Sequence, residues 1–431
     1  MKFKFFHWSM LILTLVVFVS GCGNSGTDKT QSSGNTAGTS EGTSGEASKE
    51  KVKLTLWVQS KDWNVEEIKN RYASKYPNIE LNFEDNPISG YVAKVESAIL
   101  GGTAPDLISA DTQILATVAG KGLLDTWDEE KKTLNESDFS PSIWESNIID
   151  GKMYGLPYFD MSQAIVYNKK LFDQAGIPYP KENWTHEEML ELAQKLTIPG
   201  KQYGFALAAE PSNPGGFITS FGPVLWAFGG DFLNADNTKA MINSPESVKG
   251  IQFWSELYTK YKVTPQGTVN FDTERDGYPL FVNGKLAMMP AYTYTVDLLK
   301  QHPELEWGLQ VAPDKVGKGN GWSFALPNNA KHKKEARDFA MWLLQPENLT
   351  LTNQQPSRMS AANVSPWNTP DYKIFFEVGQ YQRNVPTIPQ WQEIQNVIFP
   401  ELQAVLAGSK TPQKAADDMA SQINTILEQS H

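Results

Sequence analysis

Three aspartates sit where the chain's patterning breaks. Asp111 ends a short strand that begins at 105–109, Asp160 follows the aromatic pair Tyr158-Phe159, and Asp231 follows Gly229-Gly230 after the apolar run 217–228. Two carboxylates held across a glycosidic bond would hydrolyse it, but sequence alone sets no distance between these three. A carboxylate beside aromatic rings can also bind without cleaving. Asp, Asn, Gln and Arg pair with hydroxyls, aromatic faces stack on the flat C–H faces of sugars, and a closed site then rejects ligands lacking a matching hydroxyl. The chain carries 13 Trp and 15 Tyr for such stacking. Other chemistries lack their residues. Five scattered His and one Cys make no metal-ligand cluster. No nucleophile elbow or Ser-His-Asp context stands out. The glycine-rich stretch 317–321 lacks the Gly-Lys-Ser/Thr ending and following helix of a phosphate loop. A net charge of -11 argues against a nucleic-acid partner and favours solubility. No cofactor is implied.

The elements that must position these residues follow from periodicity. Residues 52–58 alternate as a half-buried strand. A helical run with Val65, Ile68, Tyr72 and Tyr76 follows, then a strand at 79–83, a helix at 91–100 stopped by Gly101-Gly102, and the strand ending at Asp111. Strand, helix, strand, helix, strand predicts an α/β fold with a parallel sheet. Ligands sit at the C-terminal ends of such strands, which selects the loop 59–63 with Asp62 and Trp63, residues 84–86, and Asp111. Trp57 is expected in the core, and Trp63 is either a ligand contact or core. The stretch 151–168 reads as strand, irregular polar-aromatic break, strand. It is either a bent strand or a crossover between two lobes, with Tyr158, Phe159 and Asp160 facing the space between them. Two further crossovers are expected at 284–290 and 322–326. They give an N-lobe of 51–159 plus 290–321 and a C-lobe of 160–289 plus 322–431. In the second lobe, Thr185 and Glu188 form a capping box, which makes His186 an exposed first-turn residue. Ser244 and Thr411 cap later helices, each followed by proline.

Residues 1–21 open with Lys2 and Lys4, and the apolar run 10–19 is too short to span a bilayer comfortably. Val19-Ser20-Gly21-Cys22 resembles the lipobox of bacterial lipoproteins, in which the cysteine is lipidated and becomes the first residue. Cys22 is the only cysteine, so no intramolecular disulfide is possible. Residues 22–50 are Gly, Ser and Thr rich and are expected to form a disordered tether.

Most of the chain after residue 51 also resembles a known family. The pieces GGTAPDLISAD, KGLLDTWDE, DGKMYGLPY, IVYNKKLFDQAGI, NWTHEEMLELAQKL, FGGDF, FVNGKLAMMPAYTY and NGWSFALPNNAKHKKEARDFAMWLL, in this order, are similar to the extracellular solute-binding proteins of bacterial carbohydrate ABC transporters, the class of maltose-binding protein. The resemblance implies a two-lobe, type II periplasmic-binding-protein-like α/β fold with three hinge crossovers, and a binding protein rather than an enzyme. It carries over Trp226, Gly229 and Asp231 near the cleft, with core packing as the rival for Trp226. It also carries over Trp322 as a sugar contact, Arg358 on a loop near the cleft, and Trp391 close to the site. Where the family often has a glycine-proline-tryptophan-like turn, this chain has Pro290-Ala291-Tyr292, so either Tyr292 or Tyr294 is the stacking surface. The implied partners are a carbohydrate, the permease subunits of an ABC importer, and the membrane through lipid on Cys22, with the protein a monomer on the extracellular face. Which sugar is bound stays open. The alternatives are a non-sugar solute such as a peptide or polyol, and a surface glycoside hydrolase.

Overall fold

The computed structural model describes residues 51–86, 90–319 and 321–429. Cys22, the leader and the expected tether lie outside them. Among the described residues no helix is long and apolar enough to cross a membrane.

The alternating run Val52–Val58 forms the strand expected of it, buries Leu54 and Leu56 completely, and pairs in parallel with Ile79–Asp85 and Leu107–Asp111. Strand Gly321–Pro327 joins this sheet antiparallel to Leu107–Asp111, to Gly155–Asp160 and to Leu124–Asp125. Helices cover both faces. Ile68 and Tyr72 of Val65–Lys75 pack with Phe339 and Leu343 on one side, and Tyr91, Val95 and Ile114 pack with Trp57 and Ile108 on the other. A second sheet has the order Trp307–Gln310, Ala164–Asn168, Leu286–Ala291, Tyr203–Phe205. Its main core draws on helices His186–Leu196, Pro214–Ala227, Pro245–Thr259, Trp391–Leu406 and Pro412–Glu428. Each sheet with its helices is one lobe of a two-lobe α/β fold.

The chain passes between the lobes three times. The first passage is Met161 to Gln163, between Gly155–Asp160 in the first sheet and Ala164–Asn168 in the second. The second lies between Trp307–Gln310 and Gly321–Pro327. The third follows Leu351, in the first core, and leads to Trp367 and Phe375, packed on the second sheet. The passages run side by side. Gly321 is opposite Asp160, Phe159 bridges Pro356, and the Asp160 N–H donates to the Gln355 carbonyl at 3.0 Å.

Only the first crossover lies where the sequence pattern puts it. Residues 284–290 enter Leu286–Ala291, which lies between Ala164–Asn168 and Tyr203–Phe205 inside the second sheet. Residues 322–326 lie inside the first sheet. The expected boundaries at 289/290 and 321/322 are therefore corrected: strand Trp307–Gln310 belongs with the C-lobe, and 321–351 with the N-lobe. The physical reason is that Leu286–Ala291 and Gly321–Pro327 are largely buried and mainly apolar, so their sequence does not say which sheet they join, and the half-buried Trp307–Gln310 is too short to say so either.

Candidate ligand-binding cleft

A cavity of about 450 Å³ opens between the lobes. The N-lobe contributes Gln59 and Asp111 from strand ends, with Phe159, Trp322 and Gln354. The C-lobe contributes the start of helix Pro214–Ala227, the turn 272–274, Tyr278, and the segment from Met289 to Thr295. Lys318 and Met161 enter from the passages between lobes.

Asp111 caps helix Thr112–Gly120, its Oδ1 accepting from the N–H groups of Gln113 at 3.0 Å and Ile114 at 2.8 Å. Burial raises its pKa, and those two N–H groups together with Lys318 oppose the rise. Lys318 is held by its backbone, since strand Gly317–Lys318 pairs with Gln382–Arg383. Burial pushes its ammonium down to about 8, and the Asp111 carboxylate pulls the other way. Tyr292 and Tyr294 stack with centroids 5.3 Å apart and planes at 19°. Sequence had offered either tyrosine; both line the cavity. Gln163 donates to the Tyr292 hydroxyl at 3.1 Å, and Tyr294 donates to Glu274. Burial raises both phenols, Tyr292 to about 12, so both are neutral donors at ordinary pH.

Of the residues expected at the site, the cavity gathers Asp111, Phe159, Tyr292, Tyr294 and Trp322. The others lie elsewhere. Asp62 is exposed on its loop, where its carbonyl accepts from Asn353. Trp63 is buried edge-on against Tyr158, Phe83 and Phe324, and its Nε1 donates at 3.3 Å to Gln354, which reaches the cavity. Tyr158 stacks on Phe324 at 4.4 Å and hydrogen-bonds Ser109. Asp160 is buried behind the first passage and accepts from Ser140 Oγ at 2.6 Å; loss of solvent raises its pKa to about 7. Trp226 donates to Asp231, which also pairs with Arg383 at 2.7 Å. Arg358 is tied to Asp138 at 2.7 Å. Trp391 packs edge-on against Phe232 in the C-lobe core. Aromatic rings and charges on loops look alike whether they meet solvent, a ligand or a neighbouring helix. His186 is buried too, its Nδ1 2.6 Å from Asp314, a partner brought from the second passage. Of the three carboxylates weighed as a hydrolytic pair, only Asp111 lines the cavity.

Sequence reasoning missed Lys318, Asp272, Glu274, Asn213 and Thr219. In the sequence, Lys318 is only one residue of the glycine-rich stretch 317–321. Asn213 had a signal: it precedes Pro-Gly-Gly and caps the helix whose start faces the cavity.

A family model described as bacterial extracellular solute-binding protein matches residues 59–350. A putative binding protein of Brucella abortus is 26% identical over 377 residues, covering 84% of this chain and 89% of the relative. Among solved structures, an ABC transporter solute-binding protein from Thermotoga lettingae bound with alpha-D-tagatose is 25% identical with a TM-score of 0.74, covering 87% of this chain and 99% of that one. An ABC substrate-binding protein from Listeria monocytogenes in complex with cycloalternan is also 25% identical, with a TM-score of 0.74 and coverage of 88% and 100%.

Proposed function

The chain belongs to the bacterial extracellular solute-binding proteins, and from that premise we propose that it is a sugar receptor of an ABC importer. The observation that carries this reading is one cavity with Trp322 on the N-lobe and the stacked Tyr292-Tyr294 pair on the C-lobe, interleaved with Asp111, Gln59 and Asn213. Rings from both lobes suit a ligand with more than one sugar ring, and the cavity volume is in the range of small-molecule sites. The two structures at a quarter identity hold a ketose and a cyclic oligosaccharide. Ligand held by both lobes favours the closed state, which is the form a permease would receive. The protein binds its sugar without cleaving it, as a monomer. Lipid on Cys22 anchors it to the outer face of the cell membrane.

The test is a thermal-shift screen against mono- and oligosaccharides, with each hit checked for hydrolysis. A ligand at ~100 times its Kd stabilises by about 2.7 kcal/mol. An intact stabilising sugar is the expected result. Turnover would make the protein a hydrolase, and no shift from any sugar would make its solute something else. Palmitate labelling that survives Cys22→Ala would place the anchor elsewhere.

A further inference from the structure

The cleft contains charged groups whose hydrogen-bonding capacity the other described residues leave partly unused. Lys318 is only 6% exposed, lines the cavity, and its Nζ makes no hydrogen bond to any other described residue. An ammonium has three donors and no acceptor, so a ligand that displaces water from the cavity must meet them. Asp111 is the charge that acts on it. The Asp111 Oδ1 is committed to capping its helix, and Oδ2 has no hydrogen bond to another described residue. Gln59, at the end of strand Val52–Val58, adds a buried orphan: its Nε2 lacks a partner among the described residues. Among the described residues, the N-lobe side and the second passage thus present two donor groups and one carboxylate oxygen to the same cavity that are not bonded to a neighbour.

The remaining charged side chains of the cavity decide what can meet them. They are Asp272 and Glu274, both acidic. Asp272 is committed to the N–H groups of Glu274 and Arg275 and to Asn213 Nδ2. A phosphate or carboxylate would satisfy Lys318 but would face three carboxylates. A sugar carries donor and acceptor in each hydroxyl, so adjacent hydroxyls can accept from Lys318 and Gln59 while donating to Asp111.

We propose that Lys318 and Asp111, assisted by Gln59, read adjacent hydroxyls of an uncharged saccharide and that the carboxylate excess of the cavity turns anionic solutes away. This rests on the sugar-receptor reading and adds to it a residue-level basis for the class of sugar.

The experiment uses the whole protein, calorimetric titration, and two sets of probes. One set is maltose, maltotriose, cycloalternan and D-tagatose; the other is sn-glycerol 3-phosphate and D-glucuronate. The expected result is binding from the neutral set only, with K318M and D111N each weakening the best neutral sugar at least tenfold. A neutral sugar bound equally well by K318M overturns this inference while leaving the sugar receptor intact. Preference for glycerol 3-phosphate or glucuronate overturns the charge selection. A readout without ligand separates binding from folding. Because Asn still caps a helix, the double variant K318M/D111N removes both charges without removing the cap. It should melt no lower than the parent, as buried charge pairs replaced together usually do. A fall of more than ~5 °C would show that the pair holds the fold rather than awaiting a ligand, and would overturn the proposal even if no sugar in the set binds.

Discussion

Trp322 and Trp391 read alike in the sequence, yet their surroundings differ. Trp322 is half-buried on the cavity wall, whereas Trp391 is 1% exposed and wedged against Phe232. Trp322→Ala should weaken sugar binding by about 1–3 kcal/mol, the worth of a stacked ring, with little change in melting. Trp391→Ala should instead cost about 3–5 kcal/mol of stability and leave the affinity of the folded fraction unchanged. Titration calorimetry and denaturant unfolding on both variants distinguish the roles, and equal behaviour would refute the assignment. Asp160 supplies a pH test. Its pKa is raised to about 7 by loss of solvent, against about 4 in an unfolded chain. Between those values the native state holds more protons than the unfolded state, so this group's contribution to stability declines as pH rises from about 4 to about 7. The melting temperature of the parent relative to Asp160→Asn should therefore fall across that window. A constant difference would mean that Asp160 ionises freely in the fold.

At the scale of elements, the site depends on how closely strand Gly321–Pro327 lies beside Gly155–Asp160. A Cβ at Gly321 would meet the Phe159 carbonyl at 2.5 Å and Ile143 Cδ1 at 2.2 Å. Backbone cannot yield as a side-chain tip can. Gly321→Ala should therefore cost about 1–3 kcal/mol and also weaken ligand binding, because Phe159 and Trp322 flank the contact. Stability lost with affinity intact would show that the cleft wall tolerates the shift. Local signals located most elements. Alternation marked Val52–Val58, Gly101-Gly102 ended Tyr91–Leu100, and the Thr185-Glu188 capping box forms as read. The sequence could not reveal partners distant along the chain. His186 begins its helix as expected, yet Asp314, 128 residues away, covers it. Lys318 sits in a strand of two residues, too short for any period, and it is buried where that strand meets Gln382–Arg383 and helix Pro214–Ala227, both distant in sequence. Asp111 was legible because strand ends are a topological position, which local order alone defines.

For the whole molecule, the order of strands and helices made an α/β fold legible and the family resemblance implied its two lobes, while neither showed the allocation of segments to lobes. Both lobes are discontinuous in sequence, and apolar strands carry no address. This interleaving has a functional consequence. Trp322 belongs to the N-lobe sheet and Tyr294 follows the C-lobe strand Leu286–Ala291, so a sugar gripped by both must find the lobes close together. Residues that act on separate sites usually contribute additively within about 0.3–0.5 kcal/mol. Here each ring's contact depends on closure, and closure depends on both rings. A double-mutant cycle of Trp322→Ala and Tyr294→Ala, read by calorimetry on a bound sugar, should therefore show a coupling energy of about 1 kcal/mol or more, with the second substitution costing less once the first is made. Small-angle scattering should show the parent contracting on saturation with ligand and the double variant failing to contract. Additive losses with an unchanged radius of gyration would mean that each face binds on its own, and that the cleft is a fixed groove rather than a closing one.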